Sequence, residues 1–403
     1  GAVSGRIVFH ATDAKERAAA GDHVILVRNE TSPEDVGGMH AAQGILTATG
    51  GMTSHAAVVA RGMGKCCVAG AGAVRIDGRA ALFRVGNRIF HEGEVISLDG
   101  STGEVIAGSV PTIPAKPGKE FTTLLSWADK QRRLGVRANA DTPRDAKIAR
   151  DFGAEGIGLC LTEHMFFAAE RLGIMREMIL AESDKERRGA LKRLLPFQRK
   201  DFAGILRAMD GLPVTIRLLD PPLHEFLPHE PDAVRQTAAA LGRHEATVRE
   251  RAERLHEQNP MLGHRGCRLG ISHPEIYEMQ VRAIFEAAAA AAKHGREPKP
   301  EVMIPLVGTV NEFTFLRNRL HELAETILAK KGVKMPIVIG TMIEIPRAAL
   351  LADQIGAEAD FFSFGTNDLT QMTYGISRDD VGSFLPAYLE EGVLEADPFQ
   401  VLD

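Results

Sequence analysis

Residues 302–344 read VMIPLVGTVNEFTFLRNRLHELAETILAKKGVKMPIVIGTMIE. The segment opens with a short apolar run, Val302 to Val307, which has the length and composition of a buried strand. Thr309-x-x-Glu312 then forms a capping box, and a helix is expected over 311–331 with Leu316, Leu320, Leu323 and Ile327 on one stripe. A second apolar run, Ile337 to Met342, follows, and Pro346 sits just inside the start of the next helix. Further strands are expected at Val136–Ala140, Gly156–Cys160, Val214–Leu219, around Cys267–Leu269, and at Phe361–Phe364. A helix is expected over 144–152, stopped by Gly153. Strand–helix repetition from 134 to 403 is the signature of a (β/α) barrel. A doubly wound open sheet is the competitor, weakened because no G-x-G-x-x-G follows the first strand. The count is seven strands, which describes a (β/α)8-type barrel missing its last strand.

Upstream, residues 1–110 are Gly-rich and carry β-type runs at Val24–Val27, Gly44–Thr47 and Glu94–Ser97, interrupted by a helix from Ser54 to about Met63. This describes a compact α/β or β-rich domain. VPTIPAKPGKEF, residues 110–121, holds three prolines and two lysines and reads as an extended linker, followed by a helix containing Trp127. The expected organisation is therefore a domain over 1–110, a linker over 111–133 and a barrel over 134–403.

The chain has 403 residues, 44% hydrophobic and 25% charged, so it can bury a large core. A net charge of -5 argues against a general nucleic-acid binder, and 5% aromatics argue against stacking platforms for single strands. The cysteines, Cys66, Cys67, Cys160 and Cys267, form no C-x-x-C pair, which fits free thiols in a reducing compartment. No apolar run approaches a membrane span, and the start, GAVSGRIVF, has no signal-peptide core. A cytoplasmic protein is expected, although a removed organelle address would leave no trace.

The densest motif is Gly50-Gly51-Met52-Thr53-Ser54-His55-Ala56-Ala57-Val58-Val59-Ala60-Arg61. Two glycines permit a tight turn, Thr53 or Ser54 can cap the helix, and His55 falls in its first turn. There the helix dipole disfavours imidazolium and would stabilise a phosphoryl group on the ring, while neutral imidazole is a competent nucleophile. Position alone favours a capping or packed histidine at His55, and Arg61 has no assigned role. Elsewhere, Glu344 ends one strand and Ser363-Phe364-Gly365-Thr366-Asn367-Asp368 places another carboxylate just past the next. Barrel catalytic groups collect at such strand ends, and two neighbouring carboxylates can share Mg²⁺. Gly365 and Thr366 offer backbone N–H groups to an anion. Thr215, Arg217 and Leu219 share a strand face, where an arginine needs an anion or a carboxylate such as Asp220. His264-Arg265-Gly266-Cys267-Arg268 adds positive charge.

The His55 segment, continued through Lys65-Cys66-Cys67-Val68-Ala69-Gly70, resembles the phosphohistidine segment of the PEP-utilising enzymes, and looks most like the pyruvate phosphate dikinase branch. Asp360-x-x-Ser363-x-Gly365-Thr366-Asn367-Asp368-Leu369-x-Gln371 is similar to a signature of that family, and Ile216-Arg217-Leu218-Leu219-Asp220-Pro221-Pro222-Leu223-His224-Glu225-Phe226 to the dikinase branch. The resemblance implies a swivelling phosphohistidine domain followed by a PEP/pyruvate-binding barrel. His55 would carry the phosphoryl group, Glu344 and Asp368 would bind Mg²⁺, and Arg217, Arg265 and Asn367 would contact PEP or pyruvate. It also implies an ATP-grasp domain as phosphoryl donor, absent from this chain, and a homodimer in the full-length family. Two further departures stand out. Leu161 in Gly158-Leu159-Cys160-Leu161-Thr162-Glu163-His164 replaces a substrate-binding arginine. The chain also stops before the family's C-G-E-H-G-G segment, whose cysteine protonates the enolate. The expected activity is phosphohistidine-mediated interconversion of pyruvate and PEP. The alternatives are an inactive relative that binds or regulates, favoured by Leu161, and PEP synthase, opposed by the LLDPPLHEF run.

Overall fold

The computed structural model describes residues 1–31, 35–51, 54–78, 80–112, 119–228, 231–257, 259–378 and 380–401. The chain divides into two compact units, Gly1–Arg132 and Arg133–Asp403.

The first unit is built on a six-stranded sheet of β1 (Ala2–Val8), β2 (Val24–Arg28), β3 (Gly44–Thr47), β4 (Cys66–Val68), β8 (Val95–Asp99) and β9 (Glu104–Ala107), in the order β4-β3-β2-β1-β8-β9. The first four strands are parallel, whereas β8 and β9 join antiparallel. Both faces are covered, which is why β2 and β3 read as continuous apolar runs rather than alternating ones. Successive side chains point to opposite faces, so Ile7, Ile25 and Leu46 enter one core while Val8, Leu26 and Ile45 enter the other. The second core is closed by Ala56 and Ala60 of the helix His55–Gly62. Strands β5 (Val74–Asp77), β6 (Leu82–Val85) and β7 (Arg88–His91) form a small antiparallel sheet. Of the 111–133 stretch, 113–118 lie outside the described residues. The Trp127 helix spans Lys119–Gln131 and buries none of its residues.

The second unit is a six-stranded, wholly parallel sheet whose strands follow chain order: β10 (Ala138–Asn139), β11 (Ile157–Leu161), β12 (Pro213–Arg217), β13 (Lys299–Ile304), β14 (Val338–Ile343) and β15 (Phe362–Phe364). Parallel strands in sequence order with intervening helices are the barrel layout expected from the sequence. The helix Val310–Lys331 carries the full capping box at Thr309 and Glu312 and ends at Gly332, whose φ of 62° suits glycine. It buries Phe313, Leu316, Leu320 and Ile327, while Leu323 packs at the edge of the core. Pro346 starts a helix and Gly153 follows one, as their residue types dictate.

The segment expected to be a strand around Cys267–Leu269 is instead the helix Gly266–Ser272. β12 pairs directly with β13 over Pro213–Arg217 and Lys299–Met303, so no place in the sheet is left between them. The described sheet therefore has six strands rather than seven. No disulfide joins the four cysteines. Among the described residues no helix is long and apolar enough to cross a membrane.

Candidate active site

The helix that begins at His55 is prepared by the turn before it. Gly50 has φ 101°, and a Cβ there would fall 2.9 Å from Ser54 Oγ. Ser54 Oγ donates to the Gly51 carbonyl at 2.8 Å and accepts from the Ala57 N–H at 3.4 Å. Ser54 is thus the N-cap of the two candidates. Residues 52–53, including Thr53, and the side chains of His55 and Arg61 lie outside the described part.

In the second unit, the ends of β11, β12, β14 and β15 and the loops beyond them bring together a charged cluster. Arg217 ends β12 and lies in register with Leu161 at the end of β11. Its Nη2 donates to Glu163 Oε1 at 2.5 Å, and its Nη1 lies 3.1 Å from Asp220 Oδ2. Asp220 is almost fully buried and also pairs with Arg265, whose Nε donates to Asp220 Oδ1 at 3.2 Å. Arg265 Nη1 reaches 3.6 Å from Asp368 Oδ1. Arg265 is the N-cap residue of the helix Gly266–Ser272, not a strand residue. Glu344 follows β14 directly, fully buried, and its Oε1 accepts the Leu306 N–H at 2.6 Å. Its Oε2 has no hydrogen-bond partner among the described residues.

Gly365 explains how the two carboxylate segments come so close. A Cβ on it would fall 2.7 Å from both Cβ and Oε2 of Glu344. Any side chain would push the β15 end away. Thr366, Asn367 and Asp368 then form the first turn of the helix Thr366–Tyr374. The Gly365 N–H, expected from the sequence to be offered to an anion, is instead donated to the Ile343 carbonyl at 3.0 Å, because Gly365 still continues the β15 end, and the Asp368 N–H bonds its own carboxylate. Asn367 Oδ1 accepts from Arg378 Nη1 at 2.8 Å, which turns its N–H₂ end the other way.

The electrostatics are unbalanced. Four carboxylates, Glu163, Asp220, Glu344 and Asp368, face two guanidiniums, Arg217 and Arg265. Burial pushes Glu344 up to about 7, and Asp220 and Asp368 add to the rise against the opposing pull of Arg217. Burial also raises Asp368, with Asp220 adding and Arg265 opposing. Burial disfavours the Arg217 charge, but Asp220, Glu163 and Glu344 together raise its pKa well above the usual value. A buried and a half-buried carboxylate, Glu344 and Asp368, carrying excess negative charge are what a hard cation would relieve, and an unpartnered oxygen on Glu344 fits a Mg²⁺ ligand. Among the described residues no group of three or more His, Cys, Asp or Glu side chains gathers as a metal cluster.

The cluster thus joins Arg217, Arg265, Glu344, Gly365 and Asp368. Leu161 stands beside it with an apolar side chain, its N–H held by Asp141 Oδ1 at 2.6 Å. Glu163 was not singled out from the sequence. The signal was present: a half-buried arginine needs a carboxylate, and Glu163 follows the end of the adjacent strand by two residues.

An α/β protein with guanidiniums and buried carboxylates at the ends of parallel strands has the layout of an anion-binding enzyme domain. Two family models match the chain: the mobile domain of PEP-utilising enzymes over residues 20–103 and their PEP-binding domain over 116–402. The chain belongs to the PEP-utilising enzyme family. It is 59% identical to "Pyruvate, phosphate dikinase 1, chloroplastic" of Oryza sativa subsp. japonica and 58% identical to the Arabidopsis thaliana protein of the same name, covering 100% of this chain and 43% and 42% of those proteins. It is 56% identical to "Pyruvate, phosphate dikinase" of Rhizobium meliloti (strain 1021), over 100% of this chain and 45% of that protein. The chain spans less than half the length of these relatives.

Proposed function

We propose that the chain is the phosphohistidine and PEP-binding portion of a pyruvate, phosphate dikinase-type phosphotransferase. The observation that carries this reading is the Arg217–Asp220–Arg265 bridge set against Glu344 and Asp368 at the ends of parallel strands. In the forward half-reaction the N–P bond to His55 breaks, an O–P bond forms to the enolate oxygen of pyruvate, and a methyl proton is lost. The two guanidiniums hold the phosphoryl and carboxylate charge, each fixed by a buried acid so that little reorganisation is needed. The first-turn N–H groups of Thr366 and Asn367 receive an anionic end of the substrate. Glu344 and Asp368 would hold Mg²⁺, which when bound supplies countercharge for a developing enolate. An ATP-grasp domain would supply the phosphoryl group, pyruvate and PEP are the small-molecule partners, and the homodimer of the full-length family is carried over with them. A net charge of -5 weighs against a nucleic-acid partner, and among the described residues no helix is long and apolar enough to cross a membrane.

Incubation with labelled PEP and Mg²⁺, followed by mapping of the label, tests the reading. Label is expected on His55 and lost in His55→Ala. Label on another residue, or equal label on the variant, overturns the assignment. One observation favours a second reading, an inactive relative that binds without turning over. Leu161 stands in register with Arg217, where the family resemblance places a third arginine. Oxalate binding without any transfer of label would select it.

A further inference from the structure

Among the described residues, Ala81 and Leu306 are the non-glycine residues with positive φ, and Leu306, just beyond β13, has φ 61°. Leucine avoids this region because its Cβ crowds the following carbonyl, so the conformation persists only where its surroundings hold it. Here the contacts are specific. The Leu306 N–H donates to Glu344 Oε1 at 2.6 Å. Its carbonyl accepts the Cys267 thiol at 3.1 Å, and the carbonyl of Pro305 accepts the Cys267 N–H at 3.0 Å. Cys267 is fully buried in the first turn of the helix Gly266–Ser272. The preceding Gly266 has φ 58°, donates its N–H to the Asp220 carbonyl at 2.9 Å, and leaves room where a Cβ would fall 2.7 Å from Leu306 Cβ. The Gly266–Cys267 turn therefore ties the arginine side of the cluster, through Asp220, to the carboxylate side, through Leu306.

We propose that Cys267 is a positioning residue: its thiol holds the left-handed Leu306 peptide so that the Leu306 N–H fixes Glu344 Oε1 and leaves Oε2 directed at the Gly365 turn, where a divalent cation and its anionic ligand bind. This rests on the reading of Glu344 as a cation ligand. A thiol donor is what the Leu306 carbonyl requires, and burial, reinforced by Glu312, pushes Cys267 up to about 12, so it stays protonated at neutral pH. Cys267 thus acts through a hydrogen bond and touches neither substrate nor cation.

The test compares Cys267→Ser, which keeps a donor, with Cys267→Ala, which removes it, in the whole chain. Mn²⁺ affinity is measured by calorimetry with and without oxalate, alongside the thermal midpoint in chelator. Cys267→Ser should bind Mn²⁺ within about twofold of the parent, and Cys267→Ala about five- to tenfold more weakly, the worth of one buried hydrogen bond. Should Cys267→Ala fail to fold, the isosteric pair Cys267→Thr and Cys267→Val repeats the comparison of donor against no donor. Equal affinity in the donor and donor-less variants overturns the proposal, whether both match the parent or both fall together. Glu344→Gln separates the two readings. If it leaves Mn²⁺ binding intact, or the parent binds none, the cation site falls and Cys267's role with it. If Glu344→Gln weakens binding while Cys267→Ala does not, only the positioning role falls.

Discussion

At the scale of single residues, the charged cluster is short of positive charge, and two predictions follow from the positions that set that balance. Leu161 is half-buried, in register with Arg217 and close to the Glu163 carboxylate that Arg217 holds. An arginine there would place a third guanidinium at the strand ends. A charge-assisted hydrogen bond to an anion contributes roughly 1.5–3 kcal/mol, on the order of ten- to a hundredfold in affinity, less what Arg217 repels. Leu161→Arg is therefore expected to tighten oxalate or PEP binding at least several-fold by calorimetry, and no gain would mean that position 161 does not face the bound anion. Glu344 makes a claim about pH. Burial raises its carboxyl from 4.5 to about 7 in the folded chain. Between those values the folded state retains a proton that the unfolded state has released, so stability falls as pH rises through the window and the loss is complete above it. The full loss is about 3 kcal/mol. Urea denaturation in chelator at pH 5 and pH 8 should show the parent losing this much relative to Glu344→Gln, whose amide does not titrate, and added Mg²⁺ should restore it at pH 8. Parallel pH dependence in the two proteins would place Glu344 in a more polar setting. Arg217, Glu344 and Asp368 were legible in the sequence because each lies at or just past the end of an apolar run, whereas Arg265 was read beside a strand that is instead a helix. Glu163 also follows an apolar run by two residues, but only the fold shows which arginine it neutralises.

At the scale of elements, the helices were read where their ends are chemically marked. Thr309 and Glu312 cap the helix Val310–Lys331 reciprocally, with Glu312 N–H on Thr309 Oγ1 at 3.2 Å and Thr309 N–H on Glu312 Oε2 at 2.9 Å. Thr309→Ala removes the side-chain acceptor and should cost about 1 kcal/mol of unfolding free energy in the second unit, read as a lower denaturation midpoint. An unchanged midpoint would mean that packing of Phe313 and Leu316 alone fixes the first turn. The segment at 267–269 shows the opposite case. Cys267 and Leu269 flank Arg268 in a strand-like alternation, yet a strand needs a neighbour to pair with. β12 and β13 already satisfy each other, and the Asp220 and Pro305 carbonyls take the Gly266 and Cys267 N–H groups and start a helix instead. Periodicity over three residues carries no information about which sheet edges are taken, so this element was settled by tertiary pairing.

At the scale of the whole molecule, the two units close separate cores. Ile7, Ile25 and Leu46, with Val8, Leu26 and Ile45 on the opposite face, pack within Gly1–Arg132, while Val214, Ile216, Ile304 and Phe313 belong to one large cluster within Arg133–Asp403. A unit with its own core can unfold as its own cooperative transition. The arginine–carboxylate cluster lies wholly in the second unit, so a ligand that binds there stabilises that unit by mass action, about 2.7 kcal/mol at a hundred times its dissociation constant. For a unit of this size the gain amounts to a shift of about 5 °C in midpoint. Scanning calorimetry is therefore expected to resolve two transitions. Adding Mg²⁺ with oxalate should move only one of them, the one with the larger enthalpy, since enthalpy scales with the number of residues melted. His55→Ala should leave that ligand shift intact, because the histidine belongs to the other unit, and Arg217→Ala should abolish it. A shift confined to the smaller transition would place the anion site in the first unit. A shift that survives Arg217→Ala would show that the bound anion is held without the guanidinium at the centre of the cluster.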